Sequence, residues 1–175
     1  AALALGQIAA GKTPVICLPP DNLAAVRREF KEARGGEHAS VIILVSDVFG
    51  SAAAPLGERL GRPESGLEMV AASSEELARM LSTAASYDQG PAVIWDSRGL
   101  PGTMLKPDNT SPLPVGRGQV LQSGTDIAIL SLGGTIDDAR HAADLLSARG
   151  LTTTVADARF LAPLDTGLIR KCARH

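Results

Sequence analysis

Aromatic side chains are scarce in this sequence: one Trp, one Tyr and three Phe among 175 residues, or 3%. A core must therefore be built from Ala, Val, Leu and Ile, and the 45% hydrophobic share is enough to build one. A surplus of either charge is missing as well. The formal net charge of −2 leaves no basic footprint for nucleic acid. No apolar run approaches the roughly 20 residues that a membrane-spanning helix requires. The opening "AALALGQIAAGK" has no basic start, so it does not read as a secretory leader. Cysteine is rare: Cys17 and Cys172 are far apart and neither has a neighbour at metal-ligand spacing. Reduced thiols in a cytoplasmic protein are the expectation. The first residue is Ala, which fits numbering that begins inside a longer chain.

What is present is an alternation of helical and strand patterns. "AALALGQIAAG" reads as an Ala-rich helix closed by Gly11. "PVICL" and "SVIILVS" are short continuous apolar runs, the pattern of strands buried on both faces. Between them Asp21 or Asn22 can cap a helix with Leu23, Val26 and Phe30 on one face and Arg27, Arg28, Glu29, Lys31 and Glu32 on the other. After Asp47, "DVFGSAAAPLGERLGRPESG" has no sustained period and reads as a long loop, a length often tied to function. "MVAAS" resumes as a strand. Ser73 and Glu76 then form a capping box ahead of a stripe of Leu77, Met80, Leu81 and Ala84. "PAVIW" is a further buried strand, ending in "DSRG".

Residues 100–118 are rich in Pro, Gly, Asn and Thr and read as a linker. Beyond it "DIAILSLGG" is a strand that breaks into a helix at Thr135, where Thr135 and Asp138 have capping-box spacing. Ile136, Ala139, Ala143 and Leu146 mark its inner face, Gly150 stops it, "LTTTVADA" is a strand and "DTGLIRKCARH" opens another helix. Strand and helix in alternation imply parallel sheets with right-handed crossovers. The expected architecture is α/β, with two parallel-sheet units joined by a linker: residues 1–99, then 119–175.

Candidate chemistry is sparse. "LGGT" lacks the G-x-G-x-x-G of a dinucleotide site, and Asp137 and Asp138 in the first turn would repel a pyrophosphate, so a tight strand-to-helix turn is expected. Arg98 lies at the carboxyl end of a parallel strand, where open α/β sheets hold their ligands. It reads equally as a bidentate phosphate anchor or as the ion-pair partner of Asp96. His38, His141 and His175 have no nucleophile or carboxylate at recognisable spacing and read as surface histidines. Asp157 and Arg159 flank Ala158, which on a strand places them on one face as an ion pair.

Three stretches carry a resemblance: "AASSEELARMLSTAASYDQGPAVIWDSRG", "LPVGRGQVLQSGTDIAILSLGG" and "GLTTTVADARFLAPLDTGLIRKCARH". From about Met69 to His175 their order is similar to the deoxyxylulose-phosphate synthases of the transketolase-like, thiamine-diphosphate-dependent superfamily. The resemblance implies the remainder of a pyrimidine-binding domain lacking its start over 1–99, and a truncated C-terminal domain over 119–175. It implies condensation of pyruvate with glyceraldehyde 3-phosphate with loss of carbon dioxide, and a homodimer or association with a larger cofactor-binding subunit. The cofactors it implies are thiamine diphosphate and magnesium, with the magnesium ligands and the activating glutamate outside this chain. Arg98 matches the arginine that contacts the acceptor phosphate, and Asp47 the aspartate that opens the substrate loop.

The departures from that family cluster in one place. Val48 stands where the family has Arg, and "VFGSAAAPLGERLG" has no histidine. Pro19, Pro20, Asp21 and Asn22 occupy the place of the aromatics that pack on the pyrimidine. These changes raise two alternatives to catalysis: a regulatory or assembly partner that keeps the scaffold, or a small phosphate-binding module.

Overall fold

A computed structural model describes residues 13–19, 22, 25, 26, 28, 42–46, 66–96 and 110–174. Among them run eight strands, three α-helices with both ends described and the helical residues 25, 26 and 28. The first sheet has the order β1-β2-β4-β3-β8, with β1 (Val15–Leu18), β2 (Ile42–Ser46), β3 (Leu67–Ala71), β4 (Ala92–Asp96) and β8 (Phe160–Ala162). Strands β1 to β4 are parallel to one another, as their apolar runs imply. The second sheet has the order β5-β7-β6, with β5 (Gln119–Gln122), β6 (Ile127–Ser131) and β7 (Thr153–Asp157).

The fold is thus mixed α/β with two sheets, and two details depart from strictly parallel units. β5 pairs antiparallel with β7, and β8 leaves the second segment to pair antiparallel with β3 in the first sheet. Both are short strands, "QVLQ" and "FLA", whose pairing depends on neighbours distant in sequence. β1 also differs from the expected fully buried strand. It pairs only with β2 among the described strands, and it exposes Val15 and Cys17 while burying Leu18.

Helix α1 (Ser74–Ala85) covers one face of the first sheet. The Ser73 hydroxyl caps it by accepting the Glu76 N–H at 3.1 Å. Glu76 reaches back one residue beyond the usual capping-box partner, to the Ala72 N–H at 3.0 Å. The predicted stripe is buried at Leu77, Met80 and Ala84 and packs with Ile42, Leu44, Leu67, Met69, Ala71, Ile94 and Phe160. The opposite face carries Leu18, Ile43, Val45 and Val93, against which Val26 and Trp95 pack. Ala25, Val26 and Arg28 are helical, as expected there, whereas Leu23 and Phe30 lie outside the described residues.

Helix α2 (Ile136–Ser147) buries Ile136, Ala139 and Ala143, with Ala139 and Ala143 packed on Val155 of the second sheet. Its start corrects the capping expectation. Gly133–Thr135 form a 3-10 turn, so Thr135 has φ −81° and ψ 0° rather than the extended backbone an N-cap needs. Its hydroxyl instead bonds to Ser131 Oγ at 2.8 Å and donates to the Leu132 C=O at 3.0 Å. At the other end the Gly150 and Leu151 N–H groups close onto the Ser147 and Leu146 carbonyls at 2.9 and 3.1 Å, a Schellman arrangement. Helix α3 (Thr166–Cys172) follows β8.

The described part of the expected linker, 110–118, is docked against the protein. Leu113 is buried in the core under α1, and its N–H donates to Thr83 Oγ1 at 2.7 Å. The 3-10 turn after β6 also meets the first sheet at Gly133. Its φ is +61°, and a Cβ there would collide with Val70 Cγ1 of β3.

Candidate functional site

The carboxyl ends of the parallel strands set the geometry on which the sequence prediction rests. β2 and β4 are neighbours in register, with Ser46 opposite Asp96, and Ala71 of β3 flanks Asp96 on the other side. In sequence, Asp47 and Arg98 therefore follow two adjacent strands. Both lie outside the described residues, as do His38 and His175. Asp96 itself is fully buried. His141 is exposed on α2, in keeping with a surface role. Among the described residues no group of three or more His, Cys, Asp or Glu side chains is placed to hold a metal ion. No described helix is long and apolar enough to cross a membrane.

The densest polar cluster lies elsewhere, where "DARF" turns the chain from one sheet to the other. β7 ends at Asp157, and the Ala158 N–H still bonds to Ser131 of β6 at 2.9 Å. Arg159 then adopts φ 58°, a left-handed conformation uncommon for a residue with a Cβ. That turn overturns the expected Asp157–Arg159 side-chain pair. The Asp157 carboxylate accepts the Arg159 backbone N–H at 3.0 Å, while the guanidinium points away to Glu76, Nε to Oε1 at 2.6 Å, and to Gln119 Oε1. The Arg159 C=O accepts from Val70 N–H at 2.9 Å, and Phe160 enters the first core fully buried.

Asp157 is itself buried, and its carboxyl is pushed up to about 7. Burial is the main cause and the charge of adjoining Glu76 the next; the Arg159 N–H and guanidinium act in the opposite direction.

A second cluster explains why "GRG" and "PLD" occur together. Asp165 is the N-cap of α3: its Oδ1 accepts from Leu168 N–H at 2.9 Å and its Oδ2 from Gly118 N–H at 3.1 Å. Those N–H groups, the Leu168 one foremost, hold the Asp165 carboxyl below its usual range, assisted by Arg117 at 3.9 Å. Gly118 packs so closely that a Cβ would strike Leu168 and, at 2.5 Å, the Asp157 carbonyl oxygen. An Asp before a predicted helix was a legible signal for this cap. Glu76 as the partner of Arg159 was not, because nothing local links the two positions.

Residues 116–175 match the family model described as the transketolase C-terminal domain. Over 101 residues, 58% of this chain, the sequence is 46% identical to 1-deoxy-D-xylulose-5-phosphate synthase 2 of Jannaschia sp. (strain CCS1). It is equally similar over 101 residues to the 1-deoxy-D-xylulose-5-phosphate synthase of Rhodobacter capsulatus. Residues 116–175 carry a transketolase C-terminal domain, and the chain is similar to these synthases.

The chain spans 16% of the length of both synthases. Its fold agrees over 99% of its length with a structure titled as a split-gene transketolase, inactive beta4 tetramer, at TM-score 0.78 and 26% identity, covering 58% of that chain. A transketolase from Pichia stipitis shares the fold at TM-score 0.66 and 16% identity, over 91% of this chain and 25% of that one.

Proposed function

We propose that this chain is part of a deoxyxylulose-phosphate-synthase-like enzyme that condenses pyruvate with glyceraldehyde 3-phosphate with loss of carbon dioxide. The observation that carries the reading is the 46% identity to two such synthases over 101 residues. The shared end of β2 and β4 supports it, because Asp47 and Arg98 follow those neighbouring strands. In this reading Arg98 anchors the acceptor's phosphate and Asp47 opens the substrate loop.

The described residues do not fit a magnesium–diphosphate site, since no carboxylate or histidine cluster among them suits a cation. In this reading thiamine diphosphate and magnesium are held by residues beyond those described or by another chain. The reading places the protein in the cytoplasm as a homodimer or bound to a larger cofactor-binding subunit. The neighbour titled a split-gene tetramer supports such an association.

A second reading, a non-catalytic assembly or regulatory partner, is favoured by Val48 and by the Pro19–Asn22 stretch where aromatics are expected. Kinetics of the complete protein with Arg98→Ala separate the two. Loss of a charged phosphate contact raises the acceptor KM about ten- to a hundredfold and leaves that for pyruvate unchanged. Equal changes in both constants, or unchanged kinetics, remove Arg98 from the role.

A further inference from the structure

The polar cluster at the "DARF" turn joins three elements: the first turn of α1 through Glu76, β5 through Gln119, and the β7–β8 turn through Asp157 and Arg159. Two carboxyl groups, those of Asp157 and Glu76, adjoin there, and the guanidinium bonds to Glu76. The Glu76 and Arg159 side chains are 9% and 13% exposed, so water screens them little. Other polar groups nearby are committed elsewhere. Arg79, one turn along α1, donates to the Ser111 C=O, and Glu68 of β3 accepts from Trp95 Nε1. Ser131 at the end of β6 bonds with Thr135, and Glu75 is exposed. Asp96 is buried at the end of β4, which flanks β3. No second cation bonds to Glu76 or Asp157 among the described residues.

We propose that Glu76, Asp157 and Arg159 form a proton-gated latch between the two sheets, closed while one proton is shared by the two carboxyl groups. With that proton in place the three side chains sum to zero charge. Glu76 is held to Arg159, and the Asp157 O–H donates toward Glu76. When the proton leaves, two carboxylates adjoin, of which only Glu76 is bonded to the guanidinium, and a net negative charge stays in a site nearly closed to water. The turn that carries Phe160 into the first core and bonds to Val70 is then the part that opens.

The sign follows from linkage. A carboxyl whose folded value is raised binds more protons folded than open, so the latch weakens as pH rises from its ordinary range toward about 7. Above that, the dependence flattens.

Hydrogen exchange of the Val70, Ala158 and Arg159 amides in the full chain tests this, corrected for intrinsic rates. For a group moving from 3.8 to about 7, opening becomes about tenfold more frequent between pH 6 and pH 8. Asp157→Asn keeps a neutral donor beside Glu76 and is expected to show no such slope. A flat wild type, or an Asp157→Asn protein that keeps the slope, overturns the latch. Should that variant not fold, Glu76→Gln serves: it removes one of the two causes that raise the Asp157 carboxyl, so the slope shrinks, and an unchanged slope overturns the latch. The infrared stretch of a protonated carboxyl in the wild type is independent of any variant: it is expected at pH 6 and lost by pH 8, and its absence at pH 6 also overturns the proposal.

Discussion

The two sheets are held together by different physics. The first is packed on both faces by large aliphatic side chains, among them Ile43, Leu67, Met69, Met80 and Ile94, with Phe160 supplied by the second segment. The second sheet has a small apolar cluster of Ala139, Ala143 and Val155. It relies on side chains that bond to backbone: Thr154 with both Gly124 N–H and C=O, Asp126 with Thr152, and Asp165 with Gly118 and Leu168. Burial of apolar area is tolerant of exact shape, whereas hydrogen-bonded turns fix a single path of the chain. The segment that matches the transketolase C-terminal domain lies mostly in that second, hydrogen-bonded kind of structure.

If that contrast holds, the largest loss comes from the residue that serves both regions. Phe160→Ala removes a fully buried ring from the first core while cutting the link from the second sheet, and it is expected to cost about 3–5 kcal/mol in denaturant unfolding. A cost near that of a surface change would mean that β8 does not dock. Gly118→Ala sets a methyl against a backbone carbonyl and Leu168, for about 1–3 kcal/mol by the same measurement.

Asp165→Ala removes a helix cap, for about 0.5–2 kcal/mol near neutral pH. Its folded value is lowered, so its contribution is present above the ordinary 3.8 and is lost as pH falls through the folded value. Thermal melts of wild type and variant are thus expected to converge in acid and separate toward neutrality. At the small end, Leu145→Lys on the exposed side of α2 should stay within about 0.5 kcal/mol.

The same contrast explains what was legible in the sequence. Continuous apolar runs marked β2 and β4, and the Ser73–Glu76 spacing marked α1, because burial and capping are written locally. β5 and β8 were not legible, since three or four residues become a strand only when a partner distant in the chain is present. Asp157 and Arg159 looked like a pair because alternation along a strand puts them together. The left-handed backbone at Arg159 breaks that alternation, and no side-chain pattern announces it. For the candidate site, the pairing of β2 with β4 was not legible, since strand order is not written locally, and Asp47 and Arg98 lie outside the described residues.

Carbon dioxide release from pyruvate by the complete polypeptide that contains this chain, with thiamine diphosphate and magnesium supplied, tests the functional account most directly. The account predicts release that accelerates when glyceraldehyde 3-phosphate is added and that needs far more acceptor once Arg98 is replaced by Ala. Release that ignores the acceptor, or none at all beside an active synthase control, would contradict it and leave the chain as a non-catalytic partner.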